Sequence, residues 1–274
     1  MSRKLDDMVF IAFDVETTSL YDFSGRILEI GAVKFDLRGG VQGEFDALIN
    51  PGVPIPESVV AVHGITGEMV HNERGPKEVL QKFVAFIGDD DAVMIAHNAS
   101  FDIGFVSNDL ARCGLPLPRN RVVDTVSLSK ALFPGAGLFN LDYLIDYLGI
   151  SMNERHRALG DALMTRELFL HCCRRGDLAD EQDLFYKAAV FDFESSVDFN
   201  VKLPTGFEKI GRAIEEGRQV KMNYAGGTKR KAVRTITPLG LMGKKGVLYL
   251  SAFCHIDNYE KSFRLDKIEE FWIE

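Results

Sequence analysis

The chain has 274 residues, enough for one large domain or two of ordinary size, and its 46% hydrophobic and 26% charged makeup excludes a disordered protein. No apolar run approaches the roughly 20 residues that a bilayer-spanning helix needs. The net charge of −8 argues against a polyanionic partner only until it is divided along the chain. Residues 204–274 hold 13 Lys and Arg against 9 Asp and Glu, whereas residues 1–203 hold 19 against 31. The N-terminus passes from charged residues straight into a strand-like run, with no signal-peptide core, which predicts a cytoplasmic protein. Cys113, Cys172, Cys173 and Cys254 form no C-x-x-C pair and predict idle thiols in a reducing compartment.

In chain order, residues 8–15 read as a buried strand and residues 27–35 and 43–49 as two more, joined as a meander through turn material at 36–40. From Pro76 the period becomes helical, with Val79, Leu80, Phe83, Val84 and Ile87 on one face. Residues 92–96 form another short strand, and 102–113, 124–132, 141–148 and 161–174 are helices. Strands first and then helices alternating with short strands predict an α/β layered domain. Residues 176–205 predict a helical linker, with a helix at 181–191. Beyond Pro204 a short helix (207–216) precedes strands at 219–224, 230–238, 246–253 and 259–265, a small β-rich module.

Asp14 and Glu16 stand two apart on the first strand, so their side chains share a face near its carboxyl end. By themselves they read first as two solvated surface acids, and only then as part of a metal site. His97-Asn98-Ala99-Ser100-Phe101-Asp102 follows a second buried strand and serves either as a helix cap or as a source of another carboxylate; Phe101 is either core or a surface for stacking a base. Asp124 before a helix reads as an N-cap. His156, five residues before Asp161 and flanked by Arg155 and Arg157, is either a surface group or a general base near carboxylates.

Taken together, Phe13-Asp14-Val15-Glu16-Thr17-Thr18, His97 through Asp102, and His156-Arg157-Ala158-Leu159-Gly160-Asp161 resemble the three motifs of the DEDDh family of 3′→5′ exonucleases in order and spacing. Accessory segments at 25–32, 62–66 and 123–125 match as well, over about residues 7–175. The resemblance implies a ribonuclease H-like domain (mixed sheet with flanking helices) over residues 1–175. It also implies two divalent cations, Mg²⁺ or Mn²⁺, held by Asp14, Glu16, Asp102 and Asp161. His156 is then the base, and Thr17, His63 and Phe101 contact the terminal nucleotides of a nucleic acid with a free 3′ end, single-stranded DNA favoured. Glu29 and Asp124 are left structural.

Residues 206–274 resemble the WYL domain through Ala213-Ile214, Val220–Tyr224, Pro238-Leu239-Gly240-Leu241, Leu248-Tyr249-Leu250 and Ser262-Phe263-Arg264-Leu265-Asp266; Leu248 stands where the eponymous Trp belongs. This resemblance implies a small Sm/SH3-like β-barrel that binds nucleic acid or a regulatory ligand, with Tyr224, Arg234, Tyr249, Lys261 and Arg264 as the candidate contacts. Two alternatives are a non-catalytic regulator and a polymerase proofreading subunit. The intact carboxylates argue against the first and the WYL-like tail against the second. Gln182-Asp183-Leu184-Phe185 is one residue short of a sliding-clamp peptide and fits an amphipathic helix equally well. DNA versus RNA, the tail's ligand, and monomer versus homo-oligomer stay open at this level.

Overall fold

The long apolar runs of the N-terminal half assemble into one six-stranded mixed sheet in the order β3-β2-β1-β4-β5-β6. A computed structural model describes residues 2–19, 22, 25–38, 40–88, 91–150, 157–194, 204–226, 233–244 and 247–274, without the side chains of 215, 242–244, 259 and 260. The chain divides into two compact units, Met1–Val197 and Asp198–Glu274.

In the first unit β1 (Phe10–Thr17), β2 (Ile27–Phe35) and β3 (Val41–Leu48) form the expected antiparallel meander. Next to β1 lie β4 (Val93–Ala96) and β5 (Val122–Asp124), both parallel to it, and then β6 (Val190–Phe191), antiparallel to β5. Central β1 alternates between two cores. Phe10 and Ala12 pack toward the long helix α7 (Ala158–Gly176), with Leu128, Leu168 and Phe169. Ile11, Phe13 and Val15 pack into a cluster shared with α3 (Pro76–Ile87) and α4 (Ala99–Arg112). Burial on both faces explains the nearly continuous apolar sequence of the strand. The period of two then carries Asp14 and Glu16 onto the α7 side at the strand's carboxyl end.

The described residues of this unit also form α1 (Glu57–His63), α2 (Gly67–Val70), α5 (Thr125–Leu132), α6 (Leu141–Tyr147) and α8 (Glu181–Lys187). The stretch expected to be a linker therefore begins as part of the first unit. In α8 Leu184 is buried and Phe185 half-buried while Gln182 and Asp183 are exposed, an amphipathic helix face. Phe193 is fully buried beside Phe13 (ring centroids 6.4 Å apart), and its carbonyl accepts a bond from Ser107 Oγ at 3.1 Å. Two- and three-residue strands such as β5 and β6 are too short to show a period, so only the tertiary pairing defines them.

In the second unit α9 (Glu208–Glu215) precedes β7 (Val220–Tyr224), β8 (Arg234–Lys244), β9 (Val247–Cys254), β10 (Tyr259–Arg264) and β11 (Ile268–Ile273). All neighbours in the order β10-β9-β8-β7-β11 are antiparallel. The last strand, not foreseen in the sequence, returns to pair with the first. Among the described residues no ladder joins β10 to β11, so the sheet is open where a closed barrel was expected. Its core holds Ile210, Val220, Met222, Ile236, Leu250 and Phe263.

Replacing Phe193 by Ala removes a buried ring that the sequence places in a linker. Urea unfolding should show a loss of about 3–5 kcal/mol; a loss below about 1 kcal/mol would mean that this segment is not part of the core.

Candidate active site

The carboxyl end of β1 gathers acids from three elements. One carboxylate oxygen each from Asp14, Glu16 and Asp161 lies within 4.8 Å of the others. Asp161 belongs to the first turn of α7, and Asp102 to the first turn of α4. Asp102 is 2% exposed; its Oδ1 accepts a bond from Val15 N at 3.2 Å, and its charge acts directly on Asp14. Burial raises the pKa of Asp14 well above the carboxylate range, and the charges of Asp102, Asp161, Glu16 and Glu29 push it further. Asp102 is raised first by burial, against the pull of the Val15 amide. Glu16 is pushed up to about 8, by burial and then by Asp161 and Glu29, with Arg157 opposing. Acids held this close cannot all ionise unless a cation joins them. An all-oxygen donor set of this kind suits a hard divalent ion.

Two devices bring α7 to these acids. Gly31 on β2 faces the first turn of α7, where a β-carbon would overlap the backbone of Ala158 and Leu159. Glu29, two residues earlier on the same face, is 1% exposed and directly opposite Glu16. It takes both Nε and Nη2 of Arg157 and also the Ala158 N–H at 3.0 Å. Arg157 gives α7 no side-chain cap, so Glu29 supplies one across the sheet.

Asp124 holds the other acid-bearing helix. Its carboxylate accepts Ser127 N at 2.9 Å and Val126 N at 3.4 Å, the N-cap role expected for α5. It also accepts Asn98 N at 3.0 Å and Ala99 N at 3.2 Å. The Asn98 backbone is left-handed (φ 67°) at the start of α4, so one carboxylate fixes both the cap and the turn that delivers Asp102. This double use has no signature in the local sequence.

The expected nucleotide contacts fall at the same sheet end. Thr17 is buried, with Oγ1 donating to the Ser19 carbonyl at 2.7 Å. His63 ends α1, is buried, and accepts the Ile65 N–H on Nδ1 at 2.9 Å. Burial lowers its pKa, while the neighbouring Thr17 backbone and Glu29 pull the other way. Phe101 is half-buried against Phe105, with centroids 4.9 Å apart. His156, the expected base, lies outside the described residues.

The five residues expected to bind a ligand in the second unit do not form one exposed set. Arg234, on the core side of β8 in line with Ile236, is 3% exposed and bonds Asp257 Oδ2 at 3.0 Å; Lys261 reaches the same oxygen at 2.8 Å. Arg234 is thus a core ion pair and is not presented to a ligand. Tyr224 packs edge-on to Phe263, and its hydroxyl accepts the Arg264 N–H at 3.1 Å. Arg264 pairs with Tyr249 across the ladder and makes a two-pronged bond to Asp266 at 3.0 and 2.7 Å. Tyr249 and Arg264 pair on the face of the sheet opposite Leu250 and Phe263, and Lys261, bonded to Asp257, keeps part of its side chain exposed.

Because Glu16 titrates near 8 when folded and near 4.5 when free, the metal-free fold carries the extra proton between those values. Its stability should therefore fall as pH rises through that window. A divalent cation must displace the proton, so the rise in Tm on adding Mg²⁺ should be larger at pH 8 than at pH 6 in differential scanning calorimetry. An equal rise at both pH values would contradict the assignment of Glu16 to this cluster. Gly31→Ala should lower Tm by several degrees, because backbone rather than a flexible side chain blocks the new methyl; an unchanged Tm would contradict the close approach of β2 and α7.

Comparison with known proteins supports the same division. The family model described as Exonuclease matches residues 11–169, and the WYL domain model matches residues 206–272. The DNA polymerase III subunit epsilon of Treponema pallidum is 39% identical over 166 residues, covering 60% of this chain and 76% of that protein. The DNA polymerase III subunit epsilon-like protein of Rhodobacter capsulatus is 44% identical over 170 residues. The PolC-type DNA polymerase III of Clostridium perfringens is 36% identical over 178 residues. The chain spans 24% of the length of the Rhodobacter protein and 12% of the Clostridium protein. Among solved structures, Exonuclease X in complex with 5′ overhanging duplex DNA aligns with a TM-score of 0.51 and 26% identity, over 64% of this chain and 97% of that one. E. coli Exonuclease I in complex with a dT13 oligonucleotide aligns with a TM-score of 0.59 over 90% of this chain and 55% of that one; at 15% identity it shares the fold. The mixed sheet, the acids at its carboxyl end and these matches place the chain in the exonuclease family, as a DEDD-type exonuclease domain of ribonuclease H-like fold followed by a WYL domain.

Proposed function

We propose that the protein is a metal-dependent 3′→5′ exonuclease that removes nucleotides from the free 3′ end of nucleic acid, with single-stranded DNA favoured. The observation that carries this reading is the convergence of Asp14, Glu16 and Asp161 within 4.8 Å, with buried Asp102 acting on Asp14. These four carboxylates would hold two divalent cations, Mg²⁺ or Mn²⁺, since the donors are all oxygen. Bound there, such ions lower the pKa of a water and neutralise charge on the phosphate and the departing 3′ oxygen.

The protein's own groups do the rest. His156, the neighbour of Arg157 in sequence, takes the water's proton. Thr17 and His63 hold the terminal sugar and phosphate, and Phe101 stacks on the terminal base. A phosphodiester is anionic and the site is acidic, so productive binding requires the cations. The similar structure in complex with 5′ overhanging duplex DNA, 26% identical, supports DNA as the substrate class. Similarity to epsilon subunits favours a second reading, proofreading beside a polymerase.

For the WYL domain we propose a module that grips nucleic acid or senses a regulatory ligand through Tyr249, Lys261 and Arg264, presented on its five-stranded antiparallel sheet.

The test uses 5′-labelled single- and double-stranded DNA and RNA with Mg²⁺ or Mn²⁺. A ladder shortening from the 3′ end, lost on adding EDTA and reduced about 10³-fold or more in Asp161→Ala, is the expected result. Undiminished activity in purified Asp161→Ala would overturn the assignment.

A further inference from the structure

The carboxyl ends of β4 and β5 carry a second construction beside the acids. His97, directly after β4, has both ring nitrogens engaged: Nε2 lies 2.9 Å from the Phe139 carbonyl and Nδ1 2.8 Å from Thr125 Oγ1. A carbonyl can only accept, so Nε2 carries the hydrogen and donates it; in the neutral ring Nδ1 then accepts from the Thr125 hydroxyl. The bond to Phe139 fastens the loop 133–140, between α5 and α6, to the end of the sheet. Within that loop Ala136 is buried, Gly137 turns the backbone at φ 82°, and Leu138 stands 56% exposed. Lys130 Nζ lies 5.8 Å from the centroid of the Phe139 ring.

An exposed Leu138, the half-buried ring of Phe139, which also packs on the core beneath, and a cation thus sit at the carboxyl end of the sheet that carries Asp14. Strands spaced about 4.8 Å apart put the end of β5 about 10 Å to the side of β1. A strand whose terminal phosphate lies at Asp14 has its next bases within such a distance, and flat apolar surface next to a cation suits single-stranded bases and their phosphates. We propose that loop 133–140 is a ledge for the bases upstream of the 3′ end, with Leu138 and Phe139 as its contact surface, Lys130 facing the phosphates, and His97 as the positioning residue that holds it. The proposal rests on the exonuclease reading of the acidic site.

The test compares kcat/KM for a ten-nucleotide thymidine strand with kcat/KM for the p-nitrophenyl ester of thymidine 5′-monophosphate, which fills only the terminal site. Leu138→Glu and His97→Ala should each lower the strand-to-ester ratio about five-fold or more. His97→Gln, which keeps a donor for the Phe139 carbonyl, should restore most of it. Tyr186→Ser, at a side chain 89% exposed on α8, should leave the ratio at the wild-type value. An unchanged ratio in Leu138→Glu and His97→Ala overturns the ledge, because general damage to the fold or to the acids lowers both substrates together. If the wild type cleaves neither substrate, the exonuclease reading fails separately. The ledge is then judged by fluorescence anisotropy of the labelled thymidine strand: weaker binding by Leu138→Glu supports it, and equal binding overturns it.

Discussion

Mutual repulsion among buried carboxylates is the constraint to which the rest of the first unit answers. Asp102 is removed from the water that would screen it, and the part-buried Asp14, Glu16 and Asp161 are crowded together beside it. Left alone, such a group would move apart or take up protons. The fold prevents the first outcome by anchoring each acid-bearing element at its backbone. β1 is locked between β2 and β4, α7 is held by Gly31 and the Glu29–Arg157 pair, and α4 by Asp124. The energy stored in keeping the acids together is then available to a cation, which relieves it on binding.

Two kinds of acid can be told apart by their partners. Glu29 is met by a guanidinium and a backbone amide, Asp124 by four amides, and Asp109 by the Ile27 amide and Arg112. Each of these is satisfied by donors and serves the backbone. Asp14, Glu16 and Asp102 instead face one another, and their raised pKa values have burial as the leading cause. An acidic protein can therefore address a polyanion without contradiction: its structural acids are already neutralised, and its remaining acids are shaped for cations.

The site's acids were legible in the sequence because motif residues on a strand end and on helix first turns keep their spacing through folding. Asp14 and Glu16 follow from a period of two, and the cap at Asp124 from its place before a helix. What stayed hidden depends on elements distant in the chain. Gly31 looks like an ordinary strand glycine until α7 is laid against it, and Glu29 gains its role only from a residue 128 positions away. Strands β5, β6 and β11 are defined by their partners; Arg234 faces inward because it stands two before the core residue Ile236, where Asp257 receives its charge. The tail's basic excess is likewise partly spoken for, by Asp257 and Asp266.

The account's central claim is that the crowded acids are a cation site whose protons leave when the ions arrive. Calorimetric titration of Mn²⁺ at pH 7, repeated in buffers of different ionisation enthalpy, measures those protons directly. The account predicts net proton release on binding by the wild type and a smaller release by Glu16→Gln, whose side chain has no proton to give up. Binding without proton release, or no binding at millimolar Mn²⁺, would contradict it.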